Sequence, residues 1–299
     1  MKTTTVKITA RLVVIATLVG VLAACASMGG LDIGSGVALI QAGQKVQEAQ
    51  QTEFTPEQEY YIGRAVAANL LSTRTVWDDK KATTYLNVLE RTLSLFSDRP
   101  ETFGGYHVLI MDSDEINAFA APGGLILVTR GLLRCATTED GVAAILAHET
   151  SHVVLKHGLN AIAQSRKTAA YKNLALAGVA AFGSPEARQL TDIFKDSISD
   201  ITNTLVNSGY SRDLEFQADQ MALVIMRRAG YNPQAFDDML KLMETKIKAG
   251  GPGFAKTHPD PRDRSGAVEK ALAGQPTVTT PPTAASARQA RYQAALGTI

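Results

Sequence analysis

The sequence predicts an α+β fold that is mainly helical, with one small sheet near the front of the domain. Three observations carry this. Apolar residues recur at helical spacing through most of residues 55–248. Strand-like segments gather in one place only, residues 106–129. The composition, 45% hydrophobic and 20% charged over 299 residues, is that of a globular chain rather than a disordered one.

The chain opens on Lys2, Lys7 and Arg11, followed by an apolar run over 12–24 that carries no charge. That is the pattern of a secretory signal, too short to span a bilayer comfortably. Residues 25–52 start at Cys25, pass through a Gly-rich tether and end in a leading helix over 37–51. Thr55-Pro56-Glu57-Gln58 then starts a helix: Thr caps, Pro suits the first turn, and Gln58 stands at capping-box spacing. Ile62, Val66 and Leu70 form its apolar stripe. A second helix covers 80–95, with Tyr85, Leu86, Leu89 and Leu93 on one side.

Strands follow at 106–111 and 117–121. A turn at Pro122-Gly123-Gly124 leads into a third at 125–129. Thr138-Glu139-Asp140 opens a helix expected to run to Gly158, its terminator. Residues 160–209 read as a helical hairpin on the core or, more sharply, as a lid. Helices are predicted over 211–229 and 234–248. The segment rich in Pro and Thr after Ala273 reads as a flexible tail. The expected organisation is a signal peptide over 1–24, an anchor, tether and leading helix over 25–52, one domain over 53–273, and a tail over 274–299.

A net charge of +1, from 30 basic and 29 acidic residues with no basic stripe, sets nucleic-acid binding aside. The chain has two cysteines, Cys25 and Cys135. Cys135 has no His or Cys beside it and reads as a small core residue.

The chemistry is concentrated in His148-Glu149-Thr150-Ser151-His152. Four residues along a helix put both imidazoles on one face, about 6 Å apart. Both then reach one Zn²⁺, and Glu149 stands where it can accept a proton from water. Val142, Ile145 and Leu146 precede the motif at helical spacing, as a buried helix requires. Catalytic zinc takes a third protein ligand. On a continuing helix His157 points to another face and suits a C-terminal cap. His107 falls in a strand and reads as a satisfied core His. Glu215 is better placed, with Asp219 one turn on to accept the second N–H of a ligand His. The alternative for that pair is a solvated acidic face.

The motif, together with Ser211-Arg212-Asp213-Leu214-Glu215-Phe216-Gln217-Ala218-Asp219, resembles the HtpX-like and BepA-like zinc metallopeptidases. Asn117-Ala118-Phe119-Ala120, Pro122-Gly123-Gly124, Thr129-Arg130-Gly131-Leu132-Leu133 and Thr257-His258-Pro259 with Arg262 and Arg264 also match that family. The resemblance covers about residues 53–273. It implies a zincin-like (gluzincin) domain with a small sheet and an active-site helix, and one Zn²⁺ per chain held by His148, His152 and Glu215. Glu149 would be the catalytic base and Asp219 the partner of a ligand His. It further implies that the strand at Asn117 and Ala118 pairs with extended substrate. His258 would stabilise the tetrahedral oxyanion or occupy the metal's open position at rest, a structural loop His being the alternative. Unlike HtpX the chain lacks long membrane helices, and unlike BepA it lacks a helical repeat array, so docking through such repeats is not expected.

Leu22-Ala23-Ala24-Cys25 resembles a bacterial lipobox, which implies lipidation at Cys25. With Ala26 rather than Asp next, the resemblance favours the periplasmic face of the outer membrane in a Gram-negative cell. The expected function is a zinc endopeptidase acting on misfolded or misassembled cell-envelope proteins, with outer-membrane assembly machinery as a candidate partner. The alternative is a chaperone-like binding or assembly factor that cleaves rarely.

Overall fold

Helix α1, Pro56–Leu71, and helix α2, Lys80–Leu95, form where the apolar stripes predict them, and Asp79 caps α2 by accepting from Ala82 N. Strands β1 (His107–Met111), β2 (Ala118–Ala121) and β3 (Leu125–Thr129) make one sheet in the order β1–β3–β2. β2 and β3 are an antiparallel hairpin with Ala118 opposite Val128, and β1 runs parallel to β3. Gly123 and Gly124 close the hairpin at φ of 78° and 100°, a left-handed conformation that suits glycine. The computed structural model describes residues 54–160, 202–247 and 257–299. The signal segment, Cys25, the tether, the leading helix and residues 161–201 lie outside the described residues.

Period-2 alternation divides the sheet between two layers. Met111, Phe119, Ala121 and Leu127 pack with Ile62, Val66 and Leu70 of α1. Val108, Ile110, Ala118, Ile126 and Val128 join a larger core with the helices that follow. These are the short α3 (Arg130–Leu133), α4 (Glu139–Val154), α5 (Arg212–Arg228), α6 (Gln234–Lys246), α7 (Pro261–Leu272) and α8 (Pro282–Leu296). Cys135 is buried in this core, as expected. No helix among the described residues is long and apolar enough to cross a membrane.

α4 is the central element, and nearly every residue from Glu139 to Val153 is buried. Thr138 caps it, accepting from Gly141 N at 3.1 Å, with Glu139 and Asp140 in the first turn where the helix dipole favours acids. Its end departs from the expectation. The helix stops at Val154, and Lys156, not Gly158, takes the left-handed conformation, at φ 57°. Lys156 Nζ lies 3.0 Å from the fully buried carboxylate of Glu59, which also pairs with Arg99. A distant buried charge therefore fixes where the helix turns, and local propensity does not report it.

The tail expected to be flexible contains α8, which packs on α2 and α4. Tyr292 and Leu296 enter the main core, and Tyr292 Oη donates to Ala136 O at 2.8 Å. Glu139, at the start of α4, is 1% exposed and takes bonds from Arg291 Nε at 3.0 Å, Tyr231 Oη at 3.2 Å and Tyr85 Oη at 3.3 Å. Replacing Arg291 by Met leaves that carboxylate without its cation. Because Arg291 is half-exposed, the expected loss is about 1–3 kcal/mol. It is read as a lower urea midpoint at unchanged slope, and an unmoved midpoint would show that α8 does not brace α4.

Candidate metal centre

His148 and His152 stand one turn apart on α4, and their Nε2 atoms approach to 3.1 Å. α5 begins at Ser211, whose side chain caps Leu214 N, and so presents Glu215 to α4 from its first turn. Glu215 Oε2 lies 3.6 Å from His148 Nε2 and Glu215 Oε1 3.5 Å from His152 Nε2. Glu215 is fully buried, and its Oε1 has no hydrogen-bond partner among the described residues. A tetrahedral ion with bonds of 2.0–2.1 Å spaces its ligand atoms about 3.3–3.4 Å apart. The observed spacings bracket that value, so the donor set fits a metal ion. The formal charge fits too: Glu149, Glu215 and Asp219 oppose the single guanidinium of Arg264, a balance a divalent cation neutralises.

Asp219, one turn beyond Glu215, lies 2.9 Å from His148 Nδ1, in the position expected of it. Its two oxygens accept from Arg264, Nη2 at 2.6 Å and Nε at 3.0 Å. Sequence reasoning gave Arg264 no role, because nothing local separates it from Arg262. Arg262 instead stays exposed and pairs with Asp260 and Glu244.

His157 is a correction. The bend at Lys156 swings its ring back so that its Nδ1 lies 2.9 Å from His152 Nδ1, and it orients the second histidine instead of capping the helix. Tyr210 stacks on the other side of His152, with centroids 4.5 Å apart and planes 19° apart. His107 is exposed beside Gly104 O, not a core His.

His258 joins the cluster, its Nδ1 2.7 Å from Glu215 Oε2. Donor atoms of His148, Glu215 and His258 all lie within 4.8 Å of one another. Burial alone would raise Glu215, yet His258, His148 and His152 hold it well below the usual carboxylate range. Burial pushes His152 well down. Burial and Arg264 pull His148 down as well, but Asp219 and Glu215 outweigh them and lift it to about 9. Burial raises Glu149, against the pull of His148 and His258.

Glu149 is buried between two cavities. One is lined by Ala118, Phe119, Ala120, Glu149, Tyr210 and His258, with Gly209 and Thr257 crossing over it. Gly209 sits at φ 66°, and a Cβ there would fall 2.0 Å from Thr257 O, so only glycine permits the crossing. β2 is an edge strand, but the expected pair of contacts divides. Asn117 pairs with Thr129 on the β3 side, and its Oδ1 accepts from Ala118 N at 2.9 Å. By antiparallel alternation, Ala118 and Ala120 turn their backbone groups away from β3 toward the cavity.

A family model described as Peptidase family M48 matches residues 80–272. The beta-barrel assembly-enhancing protease of Escherichia coli K12 is 27% identical over 216 residues, 69% of this chain and 42% of that protein. The putative beta-barrel assembly-enhancing protease of Vibrio cholerae is 26% identical over 220 residues, 71% of this chain and 43% of that protein. The mitochondrial metalloendopeptidase OMA1 of Schizosaccharomyces pombe is 32% identical over 162 residues, 52% of this chain and 43% of that protein. The chain thus spans less than half the length of these curated relatives.

Behind the histidines, Thr150 Oγ1 lies 2.7 Å from Glu90 Oε1 and 2.8 Å from Leu146 O. A hydroxyl has one proton to give, and a protonated Glu90 lets both contacts be hydrogen bonds. Burial pushes Glu90 up to about 8. A raised acid adds stability that is complete below its unfolded pKa and is lost as pH rises through its folded one. Glu90→Gln removes that dependence. Relative to wild type, the variant is expected to gain roughly 2–4 kcal/mol between pH 6 and pH 9, measured by urea unfolding. A constant difference between the two would show that Glu90 does not titrate.

Proposed function

Because the chain belongs to peptidase family M48, we propose that it is a zinc metalloendopeptidase whose ion is held by His148, His152 and Glu215. The observation that carries the ligand set is the convergence of two Nε2 atoms and a buried carboxylate at 3.1–3.6 Å. Zinc, when bound, supplies Lewis-acid polarisation of the reacting carbonyl and acidifies the attacking water.

The remaining steps belong to the chain. Asp219 accepts the Nδ1–H of His148 and so keeps its Nε2 facing the cluster; Arg264 keeps Asp219 ionised. Glu149 takes a proton from water on its carboxylate and passes it to the leaving amine nitrogen. Its raised affinity for protons suits that exchange. The outward carbonyl of Ala118 and the outward backbone groups of Ala120 hold extended substrate through main-chain hydrogen bonds, which ask little of its sequence. His258, at rest, occupies a ligand oxygen of Glu215 and must move for substrate to enter; its short contact with Glu215 supports this reading.

For substrate, the signal and lipobox patterns agree with relatives named as beta-barrel assembly-enhancing proteases. They support action on misassembled envelope proteins from a lipid anchor at Cys25, on the periplasmic face of the outer membrane.

Metal analysis and casein cleavage, run together, test the proposal. Wild type and Glu149→Gln should each hold one zinc per chain, with cleavage falling at least about a thousandfold in the variant. A folded protein that binds no zinc would sink the ligand set. A Glu149→Gln variant that still performs the cellular role would show that holding chains, not cutting them, is the function. His258→Ala is expected to speed casein cleavage several-fold, and a slower variant would assign His258 to the transition state instead.

A further inference from the structure

We infer that Lys156 is a positioning residue for the metal centre: its ion pair with Glu59 of α1 holds the bend that sets His157 behind His152. This rests on the zinc reading above. Lys156, at φ 57°, is the one residue other than glycine with a positive φ among the described residues. The left-handed conformation crowds a Cβ against the following carbonyl, so a side chain persists there only where its surroundings hold it.

α1 supplies that hold at two points one helical turn apart. Glu59 is fully buried, lies 3.0 Å from Lys156 Nζ, and pairs with Arg99 as well. Four residues on, and so on the same face of α1, Gly63 meets the hairpin turn so closely that a Cβ there would fall 1.7 Å from Pro122 O. Pro122 in turn packs on the chain just past the bend, where a Cβ on Gly158 would stand 3.3 Å from its ring. One face of α1 therefore touches both the turn that ends β2 and the residue at which the chain leaves α4.

The bend delivers a hydrogen-bond acceptor. His152 faces the metal through Nε2, which leaves its proton on Nδ1. His157 Nδ1, 2.9 Å away, is placed to accept it. His157 is buried, and Tyr210 packs on both rings, with centroids 4.5 Å from His152 and 5.6 Å from His157. Were α4 to continue straight, residue 157 would stand about 500° around the helix from residue 152, on another face. His152 would then lose its acceptor and its orientation. His148 takes its partner, Asp219, from α5, whereas His152 depends on the bend and through it on α1.

The test measures zinc affinity of the full chain by competition with a fluorescent chelator, together with the visible spectrum of the cobalt-substituted protein. Urea unfolding of the metal-free forms confirms that each variant folds. Lys156→Ala removes the ammonium but keeps the steric strain. It should weaken zinc binding about tenfold and alter the cobalt spectrum, as loss of a ligand's hydrogen-bond partner does. Lys156→Gly, for which the left-handed form carries no steric cost, should restore affinity to within about threefold of wild type. His157→Ala should weaken binding as much as Lys156→Ala does. The double variant should be no weaker than either, because both act through one contact. A Lys156→Ala protein that holds zinc as wild type does, a Lys156→Gly protein as weak as Lys156→Ala, or additive losses in the double variant would each overturn the positioning role while leaving the ligand set intact. A folded wild type that binds no zinc would overturn both.

Discussion

Glu215 is a fully buried carboxylate that faces His148 and His152 across the contact between α4 and α5, and much of the fold serves to hold it there. A charge so far from water is tolerable only beside partners, and it cannot drift, because any displacement costs desolvation without return. α4 must therefore be fixed on all sides. It is surrounded by α2, α5, α6, α8 and β2, and its polar residues are each taken up by a neighbour: Glu139 by Arg291 and two tyrosines, Thr150 by Glu90, His148 by Asp219. The same burial that makes the helix rigid makes every polar group on it answerable to a residue distant in sequence.

That dependence explains what could be read in the sequence and what could not. The motif helix, its Thr138 cap, the Gly123-Gly124 hairpin and the first turn of α5 are local signals, written within a few residues of where they act. The meeting of Asp219 with His148 was also legible, because one helical turn from Glu215 fixes its direction. Most of the misses are long-range. Lys156 bends the chain where its Nζ meets Glu59, fully buried on α1, and that bend moves His157 from a cap to the back of His152. Arg264 and Arg262 share a helix and a residue type, and only the burial of Asp219 tells them apart. α8 was hidden by the prolines before it, although Tyr292 and Leu296 at i, i+4 in an Ala-rich stretch were a helical signal that outweighed them.

The site separates into a stiff half and a looser half. The proposed ligands and Glu149 belong to α4 and α5, whose ends are capped and whose faces are packed. The groups that cover β2 are Leu205 from a short π-helical turn and Gly209, Tyr210, Thr257 and His258 outside the long helices, and Gly209 meets Thr257 with no room for a side chain. Precision is needed where bonds are made, and loops are where access is most readily controlled. Substrate that pairs with β2 must displace this cover, so affinity for extended chains is reduced by whatever holds the cover shut.

Charge links the two halves. With neutral imidazoles, the three carboxylates Glu149, Glu215 and Asp219 exceed the single guanidinium of Arg264. Glu215 and Asp219 answer that excess by raising His148 to about 9, against burial and Arg264. A proton on His148 is thus one partial remedy for the imbalance, and a divalent cation is the complete one. The two compete, because the ring nitrogen that would bind metal must first be free of its proton. His258 leans on the same carboxylate, its Nδ1 meeting Glu215 Oε2 while Oε1 has no hydrogen bond among the described residues. Metal affinity, the protonation of His148 and the position of His258 are therefore three expressions of one buried negative charge, and a change in any of them must be felt by the other two.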